Sequence, residues 1–197
     1  MGSEMCIRDR FVDDASTDDT YVKIENFQAT RPWVKATRLA KNSGTPSVPR
    51  NTALTMATGE YIFHLDPDDQ ILPAGVAAEL DLAQRTNADV VRAPLIRDNG
   101  RERVVMNRIE GWDQTSTQAE RVARVVREHS TTVCSLYRRE FLEANKLRWP
   151  EDLRLAEDAI YLYRALELGK IEYSDEPDFV YNVQLDSSAA SSTQQYQ

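Results

Sequence analysis

Two short apolar runs that end directly in clusters of aspartates are the feature that most limits how this chain can fold. Phe11-Val12 leads into Asp13-Asp14, and the mostly apolar residues 61–65 lead into a second cluster that begins at Asp66. Short apolar runs bounded by turn-forming residues are typical of buried strands. Each aspartate cluster therefore marks the carboxyl end of a predicted strand.

Helical patterns separate the predicted strands along most of the chain. The remaining predicted strands cover residues 35–39, 89–96, 103–106, 132–137, 170–173 and 179–183. The predicted helices cover residues 50–58, 73–87, 117–128, 139–145 and 157–168. This alternation predicts an α/β fold, with a mostly parallel sheet flanked by helices. The turn signal Asp98-Asn99-Gly100 predicts a hairpin, and with it an antiparallel edge.

The two aspartate clusters are candidates for a metal and nucleotide site. Ligands of open α/β sheets bind at the carboxyl ends of the strands, where both clusters lie. Neighbouring carboxylates repel one another, and a hard cation such as Mg²⁺ or Mn²⁺ is their natural counter-charge. Such a cation can also bridge carboxylates to an anionic diphosphate. The alternative is that these aspartates only form turns and helix caps.

A third pair of carboxylates, Glu157-Asp158, stands at the start of a predicted helix. The helix dipole favours negative charge at that position. The two carboxylates thus either only stabilise the start of the helix or are functional groups that the helix positions.

Composition excludes some classes of function. With 24 Lys and Arg against 32 Asp and Glu, the formal net charge is −8, which argues against nucleic acid as a partner. The two cysteines, Cys6 and Cys134, do not form a disulfide framework and favour a reducing, cytoplasmic setting. No apolar stretch has the length of a membrane-spanning helix.

The two ends of the chain differ from its middle. Residues 1–10 are charged and without hydrophobic period, so we interpret them as a non-native leader or scar. Residues 186–197 consist mainly of Ser, Ala, Thr and Gln, which predicts a disordered tail. Residues 11–185 are then the folded domain.

An ordered set of motifs resembles glycosyltransferase family 2. The motifs are VDDASTDDT at 12–20, Asn42-Ser43-Gly44, Pro49-Arg50-Asn51, ATGEY at 57–61, LDPDD at 65–69 and AED at 156–158. One short motif is weak evidence, but several in the family's order are strong evidence. The resemblance implies a GT-A fold of Rossmann-like type, a nucleoside-diphosphate sugar donor, Mn²⁺ or Mg²⁺, and inversion at the anomeric carbon.

The resemblance also implies a role for individual residues. For the nucleotide-sugar it implies Asp13, Asp14, Ser16, Asn42, Arg50 and Asp66. For the metal ion on the diphosphate it implies Asp68 together with Asp69. For the catalytic base it implies Asp158, with Glu157 beside it.

The chain departs from the family pattern in three places. Ala15 stands where the family usually has Gly, and Pro49 stands where it usually has Ala. Members normally open with a strand, a loop and a helix before the strand that ends in Asp-Asp, and here only Phe11-Val12 of that second strand remains. We expect the first strand–helix unit, about 30 residues, to be missing. Its loss would expose apolar sheet surface and put the activity of this chain in doubt.

The function expected from the resemblance is sugar transfer from a nucleoside-diphosphate sugar, with a UDP-sugar as the expected donor, to a hydroxyl of a glycan or glycolipid acceptor. The expected context is bacterial cell-envelope synthesis, in the cytoplasm or at the inner face of the membrane, with membrane contact only through the missing region or the acceptor. Two alternatives stay open: a nucleotidyltransferase, and a non-catalytic remnant that binds metal or nucleotide.

Overall fold

The computed structural model describes residues 7–112, 117–132 and 134–183. The chain divides into two units. Unit 1 comprises residues 1–62 and 138–168, and unit 2 comprises residues 63–137 and 169–197. The residues predicted to be a disordered tail, and most of the predicted leader, lie outside the described residues.

The helices are α1 Thr20–Ala29, α2 Ser47–Met56, α3 Pro73–Thr86, α4 Gln118–Glu128, α5 Arg139–Ala144 and α6 Glu157–Leu168. The strands are β1 Arg10–Asp13, β2 Lys35–Arg38, β3 Tyr61–Phe63, β4 Gln70–Ile71, β5 Val90–Arg92, β6 Leu95–Asp98, β7 Arg103–Met106, β8 Leu136–Arg138, β9 Ile171–Tyr173 and β10 Phe179–Asn182. The α/β prediction is confirmed by this order of elements. No helix among the described residues is long and apolar enough to cross a membrane.

Unit 1 contains a parallel pair of strands and a set of side-chain contacts that position the start of α6. Strand β1 pairs in parallel with β2, so Asp13 stands opposite Arg38. The Asn51 side chain on α2 donates to the Trp149 carbonyl (2.9 Å) and accepts from the Trp149 N–H (2.9 Å). The Trp149 ring stacks on Tyr161 of α6, with centroids 4.2 Å apart. These contacts tie α2 to the segment that leads into Glu157.

In unit 2, a four-stranded sheet has the order β4-β10-β6-β7. Strand β10 pairs in parallel with β6 and antiparallel with β4, with Val180 opposite Gln70. In a second sheet, β5 pairs antiparallel with β8 and in parallel with β9. Strand β5 is fully buried, as an inner strand of a covered sheet should be.

Helix α3 begins and ends on strong local signals. Pro73 occupies the first turn, where its missing N–H costs nothing. Asn87 ends the helix in the left-handed conformation (φ 55°), which asparagine tolerates better than most residues. Helix α4 likewise begins with a capping box, in which Thr117 and Glu120 each accept a hydrogen bond from the other's main-chain N–H.

The structure corrects three expectations. The strand predicted over residues 89–96 is interrupted at Ala93-Pro94, and its halves β5 and β6 lie in different sheets. The sheets are mixed rather than mostly parallel, because β4, β7 and β8 each pair antiparallel with a neighbour. Helix α1 was not among the predicted helices; none of its residues is buried, so it lacks the apolar stripe that sequence patterns detect.

Candidate active site

The end of β1 in unit 1 brings Asp13 and Ser16 together. The Asp13 side chain is buried, and its Oδ2 pairs with Nε of Arg38 at 3.0 Å. The same Oδ2 accepts a hydrogen bond from the Ser16 N–H at 3.2 Å. The parallel register of β1 and β2 places this counter-charge, which sequence reasoning had not assigned to the site. Asp13 is thereby held as a paired carboxylate at the strand end.

Asp14 is held by the Asn42-Ser43-Gly44 turn of the same unit. Its Oδ1 accepts from the Ser43 N–H and its Oδ2 from the Ser43 hydroxyl, both at 2.9 Å. The Asn42 side chain donates to the Asp14 carbonyl at 2.9 Å and accepts from the Gly44 N–H. The structure therefore brings Asp13, Asp14 and Asn42 to one edge. Ser43, the middle residue of the Asn42-Ser43-Gly44 motif, is a further residue of this edge that the resemblance does not imply.

Ala15 adopts the left-handed backbone conformation, with φ of 58°. An alanine there costs about 1–2 kcal/mol relative to the right-handed region, whereas glycine has no such cost. This geometry explains why glycine suits the position, and it shows that the Asp13–Ser16 turn keeps its shape with alanine in place.

The start of α6 places Glu157 beside Arg50 of α2 in unit 1. The Glu157 Oε1 and the Arg50 Nη1 are 3.6 Å apart, with both side chains mostly buried. The Arg50 guanidinium also lies over the Trp149 ring, 4.3 Å from its centroid. The adjacent Asp158 is half-buried, and its Oδ1 accepts from the Ala159 N–H at 2.7 Å. Three of the predicted site residues thus lie on two neighbouring helices.

In unit 2, Asp66, Asp68 and Asp69 lie in the turn between β3 and β4, here called the acidic loop (residues 66–69). The Asp69 N–H donates to the Asp66 carbonyl at 3.1 Å and closes the turn. Burial raises the pKa of Asp69 to about 6; a hydrogen bond from Asn182 opposes this rise, and the charges of Asp68 and Asp66 add to it. The loop therefore concentrates negative charge in a partly desolvated place.

The donor chemistry of the acidic loop fits a hard divalent cation. Carboxylate oxygens are the ligands that Mg²⁺ and Mn²⁺ prefer. Among the described residues, no group of three or more His, Cys, Asp or Glu is arranged to hold a metal ion by itself. A cation held by one or two carboxylates and completed by substrate phosphates needs no such cage. The loop thus fits a metal that binds together with a diphosphate.

Unit 2 also contains a group of fully buried charges that sequence reasoning missed. Glu79 of α3, Arg92 of β5 and Asp178 before β10 are each 0% exposed. Burial raises the pKa of Asp178 to about 7, while the Arg92 charge lowers it. Burial and the neighbouring Asp178 raise the pKa of Glu79 well above its usual value. Asp178 lies more than 80 positions from Glu79 and Arg92 in the sequence, so no local signal could have found the group.

This buried group predicts a pH-dependent stability. Because the pKa values of these two carboxyl groups are raised in the folded state, their contribution to the free energy of unfolding is fully present below about pH 4. That contribution is lost as the pH rises through about 7, with a slope of up to about 1.4 kcal/mol per pH unit for each group. We expect Glu79→Gln to make the urea unfolding free energy fall less between pH 5 and pH 8 than it does in the parent.

Asp81→Asn is the matched control, because Asp81 lies on the same helix but is exposed and paired with Arg85. Its pH slope should equal that of the parent. An unchanged slope in Glu79→Gln would contradict the assignment of a raised pKa to Glu79.

An α/β fold with carboxylates at the ends of its strands is typical of proteins that bind nucleotides. The comparisons with known proteins identify the family. The model of glycosyl transferase family 2 matches residues 10–145. The chain belongs to this family, as its motifs had indicated.

Curated relatives and solved structures agree with the family. TarS of Staphylococcus aureus, a poly(ribitol-phosphate) beta-N-acetylglucosaminyltransferase, is 29% identical over 171 residues, which cover 86% of this chain and 29% of TarS. A poly(ribitol-phosphate) beta-glucosyltransferase of Bacillus spizizenii is 28% identical over 89% of this chain and 27% of its own length. The chain thus spans less than a third of these relatives.

The crystal structure of TarS 1-349 in complex with UDP-GlcNAc matches with a TM-score of 0.76 and 26% identity, over 94% of this chain and 52% of that one. A mannosyltransferase of Pyrobaculum calidifontis in complex with GDP-Man and Mn²⁺ matches in fold, with a TM-score of 0.63 and 17% identity. The predicted GT-A fold is confirmed by these neighbours.

Proposed function

We propose that residues 11–185 are the donor-binding and catalytic GT-A domain of a metal-dependent, inverting glycosyltransferase. The donor is a UDP-sugar, and the acceptor is a hydroxyl group of an anionic cell-envelope polymer of the poly(ribitol-phosphate) kind. The solved TarS complexes with UDP and UDP-GlcNAc and the acceptors of the curated relatives support this choice of substrates. A cytoplasmic enzyme that meets its acceptor at the inner face of the membrane is part of the proposal.

The observation that carries the proposal is the arrangement of Asp13 and Asp14 at the carboxyl end of β1. Arg38 and Ser43 fix the two carboxylates in place through contacts within the protein. Carboxylates in such positions accept hydrogen bonds from ribose hydroxyls and from base N–H groups. We assign Asp13 and Asp14 to the nucleoside, with Ser16 and Asn42 as the residues that shape its pocket.

The acidic loop is assigned to the diphosphate end of the donor. Asp68, together with Asp69, would hold Mn²⁺ or Mg²⁺, and Asp66 would contact the ribose or the metal side of the nucleotide. When bound, the cation supplies positive charge that stabilises the leaving diphosphate. The same cation would offset the repulsion within the loop, where the charges of Asp68 and Asp66 act on Asp69.

Asp158 is assigned as the general base. The acceptor hydroxyl gives its proton to the Asp158 carboxylate while its oxygen forms the new bond to the anomeric carbon. The bond from that carbon to the diphosphate oxygen breaks in the same displacement, and a single displacement inverts the anomeric centre. Glu157, held by Arg50, fixes the first turn of α6 and with it the place of Asp158.

Thermal unfolding with ligands tests donor binding. A ligand that binds only the folded state raises its stability, by about 2.7 kcal/mol at a hundred times its Kd. We expect UDP to raise the Tm of the chain in the presence of Mn²⁺, more than GDP, ADP or CDP, and UDP-GlcNAc or UDP-glucose to release UDP when the polymer is added.

The variants Asp14→Ala and Asp18→Asn are a matched pair for this test. Asp14→Ala should lose the UDP-dependent shift, whereas Asp18 is exposed, so its variant should keep the shift. A folded chain that no nucleoside diphosphate stabilises would refute donor binding and favour the non-catalytic alternative. Pyrophosphate release from a nucleoside triphosphate would favour the nucleotidyltransferase alternative.

A further inference from the structure

Asn182, at the end of β10, contacts the acidic loop through two separate donors. Its side-chain Nδ2 donates to the Asp68 carbonyl at 2.6 Å. Its main-chain N–H donates to Oδ1 of Asp69 at 3.0 Å. Both bonds join residues more than 110 positions apart in the sequence. One residue thus holds the peptide between the two aspartates that we assign to the metal.

The strand register explains why Asn182 reaches the loop. Strand β10 pairs antiparallel with β4, with Val180 opposite Gln70 and Phe179 opposite Ile71. Continuing this register by two residues places Asn182 opposite Asp68. The chain thus reaches the acidic loop because the sheet order puts β10 next to β4.

The charges of the loop make this contact matter. The loop places three carboxylates within four residues, and the Asn182 N–H donates to one of them, Oδ1 of Asp69. The side-chain amide of Asn182 holds the Asp68 carbonyl, which belongs to the peptide bond between Asp68 and Asp69. Both bonds are made between protein groups, so they fix the loop through contacts that do not involve a cation.

We propose that Asn182 is a positioning residue for the metal site, acting through the Asp68–Asp69 peptide rather than by touching the metal or the donor. This inference rests on the proposed role of the acidic loop. It adds a residue from the far end of the chain to a site whose ligands are all local. Partners that orient the ligands of a metal typically change metal affinity about 10–100-fold when they are lost.

The first test measures metal affinity in the variant Asn182→Ala. The change removes the side-chain donor to Asp68 and leaves the main-chain donor to Asp69. In the presence of UDP, we expect the Kd for Mn²⁺, measured from the electron paramagnetic resonance signal of free Mn²⁺, to rise by about tenfold. At saturating Mn²⁺ the kcat should stay within about threefold of the parent, because the reacting groups are unchanged.

A second measurement needs no metal. Hydrogen exchange of peptides that cover residues 66–72 should become faster in metal-free Asn182→Ala, since the loop loses one of its anchors. Asn145→Ala is the matched control, because the Asn145 side chain also donates to a main-chain carbonyl, that of Phe141 at 2.9 Å. That control should leave both the Mn²⁺ affinity and the exchange of the loop unchanged.

The outcomes separate this inference from the proposed function. An unchanged Kd for Mn²⁺ and unchanged loop exchange in Asn182→Ala, beside a lost Mn²⁺ response in Asp68→Ala, would overturn the positioning role and leave the proposed function intact. A parent chain that binds no Mn²⁺ with any nucleotide would overturn both. A fall in kcat that saturating Mn²⁺ does not restore would also overturn the positioning role.

Discussion

Asp158→Asn is expected to lower kcat for sugar transfer by about 10²–10⁴-fold while the Kd for the UDP-sugar stays within about threefold. The reason is the loss of the proton acceptor, since a carboxamide cannot take the proton from the attacking hydroxyl. The carbonyl oxygen of the asparagine can still accept the hydrogen bond that the Ala159 N–H gives to Oδ1 of Asp158. The first turn of α6 should therefore keep its shape.

The measurement is UDP release with the polymer acceptor, beside the UDP-dependent shift in Tm. Asp152→Asn is the matched control, because it removes one carboxylate from an exposed position in the segment before α6. Its kcat should equal that of the parent. If Asp158→Asn transfers sugar at the parental rate, Asp158 is not the base; if it no longer binds donor, the role of Asp158 is binding rather than proton transfer.

Local signals explain which parts of the fold the sequence could predict. Helix α6 was predicted over residues 157–168 and is observed at Glu157–Leu168, because acidic residues open it and Gly169 follows it. The start of α3 at Pro73 and the capping box of α4 depend on residues within one turn of each other. The chemistry of a helix end is local, and a single sequence is sufficient to show it.

Contacts between distant residues explain what the sequence could not show. Ser43 holds the Asp14 carboxylate from 29 positions away, and Asn182 reaches Asp68 from 114 positions away. The break at Ala93-Pro94 sends two halves of one apolar run into different sheets, which depends on which strands lie beside each half. The motifs predicted which carboxylates matter, whereas the residues that hold them depend on strand order and register.

Gly75 is the position where the structure predicts the largest effect on stability. A Cβ added there would lie 1.9 Å from the Pro177 carbonyl oxygen and 2.7 Å from the Cα of Asp178. These are main-chain atoms, so no side-chain rotation can relieve the contact. The Leu72 N–H also donates to the Asp178 carbonyl at 2.7 Å, which ties the start of α3 to the same segment. Relaxation would have to separate the helix from this segment.

We therefore expect Gly75→Ala to lower the free energy of unfolding by about 3 kcal/mol or more, at the upper end of what overpacking costs. The direction of the change in stability is informative, because a glycine-to-alanine substitution at an open helical position stabilises a protein by up to about 1 kcal/mol. Ala77→Gly, at an exposed position of the same helix, is the control and should cost only about 1 kcal/mol. Urea unfolding gives the free energy of unfolding of the parent and both variants, and a Gly75→Ala variant as stable as the parent would contradict the close packing of α3 on Pro177-Asp178.

Because Asp178 also belongs to the buried charge group with Glu79, the Gly75→Ala variant should in addition flatten the pH dependence of stability, as opening this contact admits water to both carboxyl groups.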